Sequence, residues 1–164
     1  MSTYVLVHGA WHTGRELAPV AVLIEAAGHK VFTPTIKGNG AKDAKTVGLT
    51  EAIGSIVDYM IVNDLRDVVL VGHSYGGIVI TGVADTLPDR IRRLVYWNAF
   101  VPNSGESLID MLPPGAAGDG AEHGQWIPGI AARGGKLSVG GPGVRRLRRD
   151  GRKETLPHPK AVIT

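Results

Sequence analysis

At 164 residues with 43% apolar side chains, the chain has room for one domain with a sizeable core, and global disorder is not expected. It contains no cysteine, which rules out a disulfide framework, a thiolate metal site and a cysteine nucleophile. No run approaches the roughly 18 apolar residues of a membrane span. The formal net charge of +3 is unevenly spread: residues 133–164 hold nine Lys/Arg against two Asp/Glu, so the rest of the chain carries a net −4.

Thr3 to Val7 reads as a first strand, leading into the loop His8-Gly9-Ala10-Trp11-His12-Thr13-Gly14. Leu17, Val20, Ala21, Ile24 and Ala27 then recur at helical spacing, and Gly28 ends that helix. Lys30 to Pro34 is a second strand stopped by its proline, and Thr35 to Val47 is a polar loop. Thr50 is the expected N-cap of the next helix, whose inner stripe is Ile53, Ile56, Val57, Met60 and Ile61. Val68 to Val71 is a short, strongly apolar run that reads as a buried strand. Gly77 to Asp85 reads as a buried helix closed by Leu87-Pro88, and Ile91 to Trp97 as a fourth strand.

Strands and helices thus alternate, which predicts an α/β domain with a doubly wound, mostly parallel sheet. Functional groups in such a sheet collect at the C-terminal ends of the strands. There the pattern places the first loop, the turn around Ser74 and the segment Asn98-Ala99-Phe100. Farther on the character changes. Ser107 to Leu112 suits one short helix, and Trp126-Ile127-Pro128 is a last apolar island. From Ala131 the chain is rich in Gly, Arg and Pro, with at most one helical turn at Val144 to Arg149. The expected organisation is a core with the start of a short cap over residues 1–130, followed by a basic, irregular tail over 131–164.

The chemistry points to Gly72-His73-Ser74-Tyr75-Gly76, set between a strand and a helix. A serine hydroxyl is a weak nucleophile and must stand clear of the backbone to meet a base and a carbonyl. A tight strand-to-helix turn lifts it there, and crowding requires small residues two before and two after. A glycine-rich turn that merely packs or holds a phosphate is the alternative. A phosphate loop would want Gly-Lys-Ser/Thr, or Gly-x-Gly-x-x-Gly opening the helix, and neither is present. Ser74 is therefore the candidate nucleophile.

Over about its first 110 to 130 residues the chain resembles the α/β-hydrolase superfamily, in particular its small bacterial esterase-type members. Val5 to Trp11, Val31 to Pro34, Asp67 to Gly77 and Leu94 to Pro102 carry the resemblance. It implies an oxyanion hole made by the backbone N–H groups of Ala10 and Tyr75, where two preset donors stabilise a tetrahedral intermediate. It also implies that His8 organises its loop and is not the base. His12 and His73 are expected to be supporting or solvent-facing residues. Hydrolysis of a small carboxylic ester is the implied reaction, with no metal and no organic cofactor.

The family's triad runs Ser, then Asp or Glu, then His. After Ser74 only His123 and His158 remain, and Ser74, Asp150 and His158 satisfy chain order. The prolines on both sides of His158 argue against a strand there. Asn98 stands where relatives carry an aspartate, and an amide stabilises a charged imidazole poorly. A complete fold of this kind commonly needs some 200 residues or more. Truncation or a reading-frame change near Ala131 is therefore expected, leaving an exposed sheet edge through which a homodimer would form.

Three functions stay open at this level. One is ester hydrolysis at Ser74; another is a hydrolase remnant that binds or is inactive. The third is nucleic-acid binding through Arg145-Arg146-Leu147-Arg148-Arg149, a run with no interleaved aromatic residue, for which a solvated tail is the simpler reading. A cytoplasmic location, without a membrane partner, is the default expectation, since strand residues begin at Thr3 with no basic leader before them.

Overall fold

The computed structural model describes residues 1–44 and 46–103, together with the backbone of three short strands near the C-terminus. Its elements in chain order are β1 (Thr3–Val7), a 3-10 turn (Gly14–Leu17), α1 (Ala18–Ala26), β2 (Lys30–Phe32), α2 (Leu49–Val62), β3 (Val68–Ser74), α3 (Gly76–Thr86), a second 3-10 turn (Pro88–Arg90), β4 (Ile91–Ala99), β5 (Arg145–Leu147), β6 (Lys153–Thr155) and β7 (Ala161–Ile163). The alternation expected from the sequence is present, and the sheet order is β2-β1-β3-β4-β7 with every neighbouring pair parallel.

Side chains on β1 alternate between two layers, as the period of a strand requires. Val5 and Val7 join the larger core, which packs α2 and α3 against β3 and β4 through Ile56, Met60, Leu70, Ile78, Val79 and Leu94. Leu6 faces the other way, into a smaller core with Leu17 and Ala21 at the start of α1. A fully buried aliphatic side chain stabilises by about 1.5–3 kcal/mol, so the α2/α3 layer carries most of the burial energy. On α2, Ile56, Val57 and Met60 are buried as expected, whereas Ile61 is 46% exposed. The cap of α2 also differs from expectation. Gly48, and not Thr50, precedes its first residue, and the Glu51 carboxylate accepts from Gly48 N–H at 2.9 Å. The carboxylate reaches back to an otherwise unpaired donor, so the cap needs no side chain of its own.

β4 runs two residues beyond its expected end. Its pairing with β3 shifts register between His73 and Ser74, so that His73 opposes Trp97 and Ser74 opposes Ala99. Asn98 is the extra residue of this bulge, at φ 42°.

The irregular tail expected over 131–164 needs correction at three places. Arg145–Leu147 forms β5, where one helical turn was expected, and pairs antiparallel with β6 in the register Arg146 to Glu154. Ala161–Ile163 forms β7 and pairs with Leu94, Val95 and Tyr96, so the edge of β4 expected to be bare is covered there. Three-residue strands are too short to show a hydrophobic period, and β7 finds its partner β4 more than sixty residues back. The helix expected at Ser107–Leu112, the island at Trp126, and His123, Asp150 and His158 lie outside the described residues.

Candidate functional site

Ser74 closes β3, Tyr75 caps α3, and Gly76 is the first helical residue. Ser74 itself sits at φ 53°, in the left-handed region that costs an ordinary side chain about 1–2 kcal/mol. Strain of this kind persists where its surroundings over-determine the backbone, and here two glycines show how. A Cβ on Gly72 would stand 2.5 Å from Gly76 O, so strand and helix cross with no room for one. A Cβ on Gly76 would stand 2.5 Å from Val7 O and 2.7 Å from His8 O, so the helix also abuts the end of β1. The second close approach is tertiary and makes the turn a three-way junction. On the far side, Phe100 N–H donates to Ser74 O at 3.1 Å, which ties the end of β4 to the same turn.

The first loop lies directly against this junction. A Cβ placed on Gly9 would be 3.1 Å from Ser74 Cβ. Ala10 is buried beside it, at 4% exposure. His8 is wholly buried, and both of its ring nitrogens are engaged. Nδ1 lies 2.7 Å from Gly9 O, and Ile36 N–H donates to Nε2 at 2.9 Å. A carbonyl can only accept, so Nδ1 carries the hydrogen and Nε2 the lone pair. That tautomer is the neutral imidazole, and burial pushes its pKa below the ordinary histidine value. With both nitrogens bound to backbone, His8 organises its loop as the resemblance implied.

Around the junction stand His73, half-buried, and His12 and Trp97, both exposed. The His73 ring is 5.0 Å from Trp97 and 6.4 Å from His12. Burial first, and then the nearby His12, lower the pKa of His73. Trp11 is 66% exposed on the loop. The Tyr75 side chain points the other way, into the α2/α3 core, where its hydroxyl has no hydrogen-bond partner among the described residues. Burial pushes that hydroxyl's pKa up to about 12. The backbone N–H of Tyr75 precedes the first turn of α3, where no carbonyl of the helix can accept it.

The structure thus brings together Ser74, Ala10 and Tyr75, the three residues singled out in the sequence. Asp150 and His158 lie outside the described residues, and no histidine follows Ser74 within them. No group of three His, Cys, Asp or Glu side chains suited to a metal occurs among the described residues. No described helix is long and apolar enough to cross a membrane. One participant, Asn39, has no signature in the sequence pattern. The Asn39 side-chain amide donates to Ala10 O, and to His12 O at 3.1 Å. The only signal was an amide residue in the polar loop after β2, which by itself is unremarked in any turn.

Residues 4–160 match the family model described as the alpha/beta hydrolase family. A carbendazim hydrolyzing esterase of Nocardioides sp. (strain SG-4G) is 47% identical over 116 residues, covering 69% of this chain and 48% of its own length. An alpha-hydroxynitrile lyase of Arabidopsis thaliana is 32% identical over 126 residues, covering 71% of this chain and 48% of its own. Among solved structures, an extracellular alpha/beta-hydrolase from a Paenibacillus species superposes with a TM-score of 0.68 at 41% identity, over 69% of this chain and 47% of that one. The chain spans about half the length of these relatives.

Proposed function

This chain belongs to the alpha/beta hydrolase family, and from that premise we propose that it is a serine hydrolase of small carboxylic esters with Ser74 as nucleophile. The observation that carries the reading is the strained φ of 53° at Ser74, held between β3 and α3 with Gly9 packed against its side chain. Ser74 Oγ attacks the acyl carbon, and its proton passes to a base. The carbonyl oxygen becomes an oxyanion that the Ala10 and Tyr75 N–H groups receive, the latter aided by the positive end of α3. The alcohol leaves, and water then releases the acid from the acyl-enzyme. The esterase named among the relatives supports the ester substrate.

A second reading has its own observation. At the bulge beside Ser74 stands an amide, Asn98, and no histidine follows Ser74 among the described residues. A hydrolase frame that binds without turnover would look the same there.

One experiment separates the two. Intact-mass labelling of the purified protein with a fluorophosphonate should give a single rapid adduct that Ser74→Ala loses. Folded protein that stays unlabelled would reject the hydrolase reading and leave the binding frame.

A further inference from the structure

The loop that carries Ala10 has almost no means of holding itself. Between Gly9 and Thr13 its one internal backbone hydrogen bond runs from His12 N–H to Gly9 O, at 3.3 Å, among the described residues. Its geometry is set from elsewhere, by the turn Ile36–Asn39. Asn39 N–H donates to Ile36 O at 3.0 Å and closes that turn. Asp43 braces it, accepting from Gly38 N–H at 2.8 Å and Gly40 N–H at 3.0 Å. Ile36 anchors it in the core, fully buried.

From this turn two groups reach the loop, Ile36 N–H by way of the His8 ring and the Asn39 amide directly. In a trans peptide the C=O and the following N–H point in opposite directions. Ile36 N–H orients the His8 ring, whose Nδ1–H holds Gly9 O; this fixes the direction of Ala10 N–H. On the other side the Asn39 amide holds Ala10 O and, two peptides farther, His12 O. Both acceptors are carbonyls, so the NH2 end of the amide must face them. Its Oδ1 is buried with no partner among the described residues. A buried acceptor left unpaired costs stability, so the donor end is what the site retains.

We infer that Asn39 is a positioning residue for the oxyanion loop: by holding Ala10 O it fixes the peptide that follows Ala10, and so keeps the neighbouring Gly9–Ala10 peptide aligned to offer the Ala10 N–H to the developing charge. This rests on the ester-hydrolase reading above and deepens it. Asn39 bonds to Ala10 O and His12 O and would act on the reaction through Ala10. Removing it would therefore weaken the transition state and leave ground-state binding as it was.

The test uses the full chain with p-nitrophenyl acetate. Asn39→Leu keeps the size and removes the donor; Asn39→Asp keeps the shape and turns the donor into an acceptor, and serves if the first variant folds poorly. Each should lower kcat about tenfold with KM within about twofold of the parent. Amide hydrogen exchange at His12 should quicken while α3 keeps its protection. An unchanged kcat, or a rise in KM alone, would overturn the inference. So would unchanged exchange at His12, whatever the activity. If Ser74→Ala hydrolyses the ester as fast as the parent, the ester-hydrolase reading fails, and the exchange result alone then decides the role of Asn39.

Discussion

Between Gly72 and Gly77 the chain is held by its own backbone, whereas between His8 and Thr13 it is held by side chains. At the first turn, carbonyl oxygens of Gly76, Val7 and His8 leave no space for a Cβ. At the second, the His8 imidazole and the Asn39 amide pin the successive carbonyls of Gly9 and Ala10, the first held by and the second supplied by a turn 28 or 29 residues away. Steric exclusion acts at contact distance and yields little. Hydrogen bonds are worth about 1 kcal/mol each and can be exchanged for water. The nucleophile turn should thus fail by unfolding, while the oxyanion loop should fail by losing alignment in a protein that still folds.

Gly76→Val tests the steric half most severely. Its Cβ would meet two carbonyl oxygens of β1 and the residue after it, so backbone must move, at an expected cost of about 3 kcal/mol or more. Thermal denaturation of the variant should show a large loss; a parental Tm would mean that the three-way junction is looser than described.

His8→Leu tests the hydrogen-bonded half. It leaves Gly9 O and Ile36 N–H without their partner in a buried place, at an expected cost of about 2 kcal/mol by urea titration. A pH dependence goes with it. Burial holds the folded-state pKa of His8 below its ordinary value of 6.5, so the folded protein keeps this ring neutral while the unfolded chain binds the proton. Stability from this group is complete above the unfolded pKa and is lost as the pH falls from there through the folded pKa. His73 is shifted the same way. The parent should therefore lose stability below about pH 6.5, and His8→Leu should flatten that slope without abolishing it. An identical slope in both proteins would show that His8 does not titrate in folding.

The smallest effect isolates the strain at Ser74. Ser74→Gly removes the cost of φ 53° at the expense of greater freedom in the unfolded chain, so a net gain of about 1 kcal/mol is expected, with none for Ser74→Ala. Equal stability of the two variants would mean that the turn relaxes once the hydroxyl is gone.

Much of the fold was legible because its signals are local. β1, α3 and the alternation of strands and helices show in runs of five or more residues with one period. The Ser74 turn was legible because Gly72 and Gly76 answer a crowding problem whose participants include neighbours in sequence. The first residue of α2 was misread because its cap is made by a carboxylate three residues on, and β5, β6 and β7 were missed because three-residue strands exist only through their partners. Asn39 was missed for a related reason: an amide in a loop has no meaning until the carbonyls it serves are in place.

Pattern along the chain was thus enough to assign the parallel sheet, the strand–turn–helix around Ser74 and the place of the first loop at the same sheet edge, since apolar periodicity and glycine spacing act between residues close in sequence; the part that loop would play came from the family resemblance. Tertiary structure decided the rest. It placed the carbonyls of Val7 and His8 against Gly76, put Asn98 in a bulge beside Ser74, and brought the Ile36–Asn39 turn over the Ala10 peptide. Those arrangements depend on chain segments that meet only when the sheet and its two layers assemble, and no single stretch of sequence carries the coordinates of both partners.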